Sequence, residues 1–450
     1  MIQLPEEFVE RMQKLLGKEN EKFLAELHTE APVSIRVNPV KKVSLEKLSP
    51  VSWSENGYYL RKRPSFTLDP LFHAGTYYVQ EAGSMFLEQA FCQVIPENIP
   101  LKVLDLCAAP GGKSTLLSSL ITNESLLVSN EVIRSRSFVL SENLKKWGNP
   151  NVIVTNNDPR DFQSLQGFFD VVVVDAPCSG EGLFRKDNSA IKEWSVDNAQ
   201  LCAARQKRIL SDIWDALKPG GVIIYSTCTY NPEENELNIH WLLNQFDAQS
   251  VPLEIHSDWG IRELDFENGK GYQCYPHLVK GEGFFLAVVK KGGKYLPQKS
   301  KKQKKGFETA TKNERAILEM WINPEVEMEF INHNNQLLAF PKQNLGDALR
   351  VKNNLRIVHM GVAVAEIKKK NINPLHELAL SPILNRDAFP KIEVGLETAL
   401  HYLRKEEIKP ESGQKGWNLI CYQTTPLGWI KNLGNRFNNN YPKEWRIRNL

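Results

Sequence analysis

Cysteine is scarce and irregular: seven residues in 450, an odd number, with no CxxC pair. That excludes a disulfide framework and leaves no zinc-ligand spacing, so a reducing compartment and no metal are expected. No run of about 18 apolar residues occurs, which excludes a membrane-spanning helix. The opening stretch, MIQLPEEFVERMQKLLG, is charged and helix-like rather than built as a secretory leader. A cytoplasmic location with no membrane partner follows by exclusion, and a monomer is the expected state. Repeats with a period of about 20–50 residues are missing, so solenoids and propellers are excluded. Net charge is only +3, which by itself commits the chain to no partner.

What is there is an ordinary globular composition, 42% hydrophobic and 24% charged, over a length that suggests two to four domains. The charge is unevenly placed. Residues 1–289 carry a balance of −9, residues 290–312 hold nine Lys and one Glu, and residues 313–450 carry +4. An acidic body followed by a basic linker and a mildly basic tail can hold a polyanion locally.

Residues 5–28 read as an amphipathic helix, with Phe8, Met12, Leu15 and Leu16 on one face. Residues 1–95 read as a mixed α+β extension. From 96 to 290 the texture changes. Apolar runs (LKVLDL, SLLVSNEV, NVIVTNND, FDVVVVDAP, GGVIIYSTC) alternate with helical segments. Near-continuous apolar strands belong to a parallel sheet covered on both faces, and the alternation makes the fold α/β, a doubly wound Rossmann-like sheet. The run GEGFFLAVVKK reads as a strand closing one edge. Residues 291–312 form a Lys-rich linker. Residues 313–450 form a second region, with a break near ALSPIL that divides it into two small units.

VLDLCAAPGGKST (103–115) is a strand, a small Gly-rich turn and a helix start. In a doubly wound sheet, ligands bind at the carboxyl ends of the strands. Gly111 and Gly112 let backbone approach a ligand, and the helix start offers free N–H groups. A P-loop would need Gly at position 107, which is Cys107. A nucleoside cofactor held by the loop and by acids on later strands fits better. Glu131 ends the second strand and can accept ribose hydroxyls; Asp158 ends the third and can meet an adenine amino group.

DVVVVDAPCSGEG (170–182) delivers Asp175 and Cys178 to one strand end, and GGVIIYSTCTYNPEEN (220–235) delivers Cys228 to the next. Two thiols and a carboxylate would thus meet beside the cofactor. Carbon 5 of cytosine is a poor nucleophile. A thiolate adding at carbon 6 makes the ring an enamine that can take a methyl group, while an acid at N3 stabilises the developing charge. The spacing alone leaves open which cysteine attacks. DAPC, in place of an Asp/Asn-Pro-Pro-aromatic loop, argues against methylation of an exocyclic amine. Cys92, Cys202, Cys274 and Cys421 read as packing residues, and Cys107 as acting through its backbone.

CAAPGGK, VVDAPCSGEG and YSTCTYNPEENE resemble the signature blocks of the RNA 5-methylcytosine methyltransferases, the NOL1/NOP2/Sun family; SIRVN (34–38) and YYVQEAGSM (77–85) resemble its N-terminal blocks. The resemblance covers residues 30–290. It implies that S-adenosyl-L-methionine is the cofactor, held by Cys107, Ala108, Ala109, Pro110, Gly111, Gly112 and Lys113 with Glu131, Asp158 and Asp175. It implies that Cys228 is the nucleophile and that Cys178 helps release the product. PLGWIKNLGNRFNNNYPKEWRI (426–447) is similar to the PUA-like end of the bacterial RsmF-type branch, which implies ribosomal RNA of the small subunit as the partner. Trp429, Tyr441 and Trp445 there suit stacking on bases, and Lys431, Arg436, Lys443 and Arg446 suit phosphates. Arg36 and the 61–63 stretch (RKR) are further expected phosphate contacts. Two alternatives remain at this stage: the same chemistry on transfer RNA, and a non-catalytic RNA-binding assembly factor.

Overall fold

The apolar runs from residue 101 onward assemble into one ten-stranded sheet. The computed structural model describes residues 3–41, 48–293, 306–369, 371–410 and 413–448. Five strands at the centre are parallel, in the spatial order Leu217–Thr227, Phe169–Asp175, Lys102–Asp105, Leu126–Asn130, Val152–Thr155. They are buried on both faces because helices cover both; Val171, Val172, Val173 and Val174 are all fully buried. Chain order reverses between Lys102–Asp105 and Phe169–Asp175, and the crevice beyond that switch point is where an open α/β sheet binds ligands.

Both edges differ from expectation. Phe284–Lys291 is an interior strand, antiparallel to Leu217–Thr227, and the hairpin Arg262–Phe266 and Gly269–Cys274 lies outside it. At the other end, Ile357–Met360 from the C-terminal region pairs antiparallel with Val152–Thr155. An exposed parallel edge would present unpaired backbone groups, and this strand covers it.

The N-terminal helix stops at Leu16 and resumes at Asn20–Glu26. Gly17 sits at φ 55°, a conformation that ends the first helix. Phe8, Met12 and Leu16 are buried as expected, whereas Leu15 faces solvent. Val33–Val37 is central in a four-stranded sheet with Gly57–Leu60 and Tyr77–Val79 as its neighbours.

The stretch read as a linker lies, from 294 to 305, outside the described residues. Beyond it stand two further four-stranded sheets. Their facing sides share one core, in which Phe330, Val364 and Leu378 pack with Leu419 and Trp429.

Candidate active site

The Gly-rich turn after Lys102–Asp105 is pinned by its carbonyls and one amide. Ala108 donates its N–H to the Asn130 carbonyl at 2.8 Å; the Ala109 carbonyl accepts from Arg136 Nη2 at 2.9 Å and the Pro110 carbonyl from Asn143 Nδ2 at 2.8 Å. Gly111 is at φ 116°, which an L side chain rarely adopts, so the turn into the helix Gly112–Leu120 needs glycine there. A Cβ on Gly112 would stand 3.4 Å from the Tyr78 ring.

Arg36 clamps the same helix start from the N-terminal sheet. Its Nη2 donates to Thr115 Oγ1 at 2.5 Å and to the Gly112 carbonyl at 3.3 Å, its Nε to Gln80 Oε1 at 2.8 Å, and its guanidinium lies 4.6 Å over the Trp147 ring. At 1% exposure it cannot reach a phosphate, which corrects its expected role. A buried guanidinium here replaces solvent with hydrogen bonds and an aromatic face.

The acids stand at the strand ends. Asp105 is fully buried; Ser114 Oγ donates to its Oδ2 at 2.6 Å, while Oδ1 has no partner. Burial pushes its carboxyl up to about 7, against the Ser114 hydrogen bond, which lowers it. Glu131 Oε1 accepts the Ile133 N–H at 2.9 Å, and its other oxygen is 3.6 Å from Arg136. Asp158 caps the following 3₁₀ turn, accepting the Arg160 N–H at 3.1 Å. Asn130 ties these ends together: its amide donates to the Leu106 and Asn157 carbonyls, and its Oδ1 accepts from Thr155 Oγ1. The loop and acids fit a cationic nucleoside-like cofactor: an orphaned, buried carboxylate oxygen at the switch point is matched by a ligand that brings positive charge or a hydrogen-bond donor.

Asp175 and Cys228 end adjacent parallel strands. Asp175 Oδ1 accepts from Ser226 Oγ at 2.9 Å, and Oδ2 is 2.8 Å from Lys113 Nζ. Lys113, expected in the cofactor loop, therefore reaches across to the strand of the DAPC block. Burial alone would lower its ammonium, yet Asp175 and Asp105 outweigh that and raise it, so it stays charged. The sulfurs of Cys178 and Cys228 are 3.0 Å apart, and the Cys228 N–H points at Cys178 Sγ at 3.3 Å. The Cys178 thiol is held well above its ordinary range, first by its hydrogen bond to Cys228 and then by burial.

Two glutamates inside the motifs, unassigned by sequence reasoning, brace the loops reciprocally. Glu234, from the Cys228 loop, accepts the Ser179 N–H and Gln206 Nε2, both at 2.9 Å. Glu181, from the Cys178 loop, accepts Thr229 Oγ1 at 2.7 Å and the Tyr230 N–H at 3.0 Å. Burial raises both carboxyls, Glu234 to about 7. Their place within CSGEG and NPEEN was the available signal. Arg136 and Asn130 carried none, because only the folded sheet brings them to the loop.

The other expected residues lie elsewhere. Cys202, Cys274 and Cys421 are buried, while Cys92 is exposed on its helix, which corrects its reading as a packing residue. Trp429 and Tyr441 are core residues, 1% and 0% exposed, so neither can stack on a base. Trp429 Nε1 is spent on the Leu375 carbonyl. Arg436, Lys443 and Arg446 are exposed, and Lys431 lies 5.0 Å over the Trp417 ring.

Three family models match this chain: 16S rRNA methyltransferase RsmB/F over residues 94–290, the N-terminal domain of 16S rRNA methyltransferase RsmF over 4–82, and the methyltransferase RsmF PUA domain over 389–447. Ribosomal RNA small subunit methyltransferase F of Erwinia tasmaniensis is 33% identical over 98% of this chain and 96% of its own length; that of Vibrio vulnificus is also 33% identical, over 100% and 99%. The chain belongs to this methyltransferase F family. It is an S-adenosylmethionine-dependent RNA methyltransferase with a Rossmann-like catalytic sheet. A methyltransferase homologue of Pyrococcus horikoshii is 30% identical, with a TM-score of 0.55 over 64% of this chain and 96% of that one. NSun6 of the same organism, 20% identical with a TM-score of 0.54 over 64% and 99%, shares the fold. Among the described residues, no helix is long and apolar enough to cross a membrane and no His/Cys/Asp/Glu cluster is arranged for a metal ion.

Proposed function

We propose that this methyltransferase F family member methylates carbon 5 of a cytosine in small-subunit ribosomal RNA, through a covalent bond between Cys228 and carbon 6. The observation that carries the reading is the meeting of Cys228, Cys178 and the Asp175–Lys113 pair at one sheet edge, beside the Gly-rich turn. The relatives' names support ribosomal RNA of the small subunit as the substrate, and a cytoplasmic location goes with that substrate. We keep residues 96–290 as the catalytic domain, 1–95 and 313–450 as RNA-binding flanks, and 291–312 as the linker.

S-adenosylmethionine supplies the methyl group. Asp105, Glu131, Asp158 and the turn from Cys107 to Gly112 hold it. Cys228 gives up its proton, which passes to N3, and its sulfur bonds to carbon 6. The Asp175–Lys113 pair holds the N3 edge of the ring, and N3 takes up a proton there. Carbon 5 takes the methyl group and then loses its proton, the sulfur–carbon bond breaks, N3 returns its proton to the departing Cys228 sulfur, and the aromatic ring returns. Cys178 has a physical reason to act only at this last stage. While Cys228 is free, its sulfur keeps the Cys178 thiol protonated. Once that sulfur is bonded to carbon that hydrogen bond is gone, and Cys178, after giving its own proton to water, accepts the carbon-5 proton. The target base must leave its stack to enter such a site.

Bisulfite sequencing of ribosomal and transfer RNA from a strain lacking the gene tests the reading. One small-subunit cytosine should lose its methyl group. Loss confined to transfer RNA, or no loss at all, would sink it.

A further inference from the structure

We propose that the RNA strand flanking the target base runs through a basic groove between the N-terminal sheet and the segment Pro276–Gly281, and that Arg61, Lys62, Arg63 and Lys280 bind its phosphates. This rests on the RNA reading above and names the surface that delivers the base.

The groove encloses about 780 Å³. Arg61, Lys62 and Arg63 leave the end of strand Gly57–Leu60, and all three are exposed. Lys280 is exposed on the other segment and sits 4.4 Å over the Tyr59 ring. None of the four has a carboxylate within ion-pair distance among the described residues. Arg185 shows the contrast: in the same groove, it is 1% exposed and fully committed to Glu26, Glu282 and the Gly281 carbonyl. Glu26 is thereby occupied, and Glu30 is the one lining carboxylate left over. Residues 1–289 carry a balance of −9. Four cations without a carboxylate partner among the described residues line one concavity of an acidic body and concentrate positive potential there; Arg63 and Lys280 meet only the Phe66 and Tyr59 rings.

The groove leads to the chemistry. Gly281 lines it, and three residues on, the Phe284 ring lies 5.1 Å from Lys113 Nζ. Three residues span at most about 10 Å. The connection is tight as well: a Cβ on Gly182 would meet the Gly283 carbonyl at 2.6 Å and the Cys228 carbonyl at 2.9 Å. Leu278, 40% exposed, gives the wall an apolar face beside the cations, which suits a strand whose bases are unstacked better than a closed duplex.

The test uses the full-length protein and a short fluorescein-labelled single-stranded RNA, titrated at several salt concentrations. Each cation that contacts a phosphate contributes about 0.7 to the slope of log affinity against log salt. Simultaneous replacement of Arg61, Lys62 and Arg63 by Ala should reduce that slope by about 2, and Lys280→Ala by about 0.7. Glu30→Lys, which adds a cation to the same wall, should steepen it. Cofactor affinity and melting temperature should not change. Wild-type slopes in all three variants would overturn the proposal. So would unchanged binding of the naked RNA with lost binding of the small ribosomal subunit, because the groove would then take a protein surface. Methyl transfer to ribosomal RNA tests the function separately. A wild-type protein that binds RNA through these cations yet methylates none would sink the function and leave the groove.

Discussion

Glu234 accepts the Ser179 N–H at 2.9 Å, so the loop carrying one thiol is held by a carboxylate from the loop carrying the other. Glu181 returns the grip at Thr229 and Tyr230. Each contact falls one or two residues past a cysteine, which makes the distance between the sulfurs a property of two buried acids.

Removing one grip should misplace a thiol without removing it. Glu234→Ala strands the Ser179 N–H in the core at a cost of about 1–3 kcal/mol. Turnover should fall roughly 10- to 100-fold, since small misplacements at a reacting centre are that costly. Glu234→Gln keeps an acceptor oxygen and should retain most activity. Equal loss in both variants, in single-turnover methyl transfer, would show that the carboxylate's charge and not its grip matters.

The two thiols should separate by the adduct they leave. Cys178→Ala should accumulate a protein–RNA adduct that survives denaturing electrophoresis, because addition proceeds while release stalls. Cys228→Ala should form none and lose turnover by at least about a thousandfold, as loss of a covalent nucleophile does. The reverse pattern would exchange their roles.

Asp105 should make cofactor affinity pH-dependent. In the free protein, burial holds its carboxyl at about 7, above the ordinary 3.8. Between these values the folded state keeps a proton that the unfolded state has lost. Stability therefore falls as pH rises through that window, and the penalty is complete above about 7. A cation at the switch point favours the ionised form. Affinity for S-adenosylmethionine should rise with pH, by at most about tenfold per unit, and level off above 7. Asp105→Asn should flatten the profile in equilibrium binding; a wild-type profile flat from pH 5 to pH 8 would contradict this account.

Arg36 should prove a support for the cofactor turn. Arg36→Met strands the Gln80 Oε1 acceptor, removes the cation from the Trp147 face and should cost on the order of 3 kcal/mol in urea unfolding. Cofactor affinity should weaken, while the salt slope of RNA binding stays at the wild-type value. A reduced slope would restore the phosphate role that its burial denies.

The strands of the sheet, the Gly-rich turn and the position of Asp175, Cys178 and Cys228 at adjacent strand ends were legible because each is local. Apolar runs mark buried parallel strands, and their carboxyl ends mark the crevice. The edges were not legible, because pairing of Ile357–Met360 with Val152–Thr155 joins residues some two hundred positions apart, and no local pattern encodes a partner. Burial misled for the same reason. Arg36, Trp429 and Tyr441 are residue types that suit nucleic acid, and only packing showed them inside.

By itself, then, the sequence determined which chemical groups this protein has and at which strand ends they emerge, since backbone geometry and hydrophobic patterning act over a few residues. Only the tertiary structure decided which groups touch: Lys113 with Asp175, the two sulfurs with each other, Arg36 with the cofactor turn. Those contacts depend on how distant segments pack, and close packing has one arrangement where the chain alone permits many.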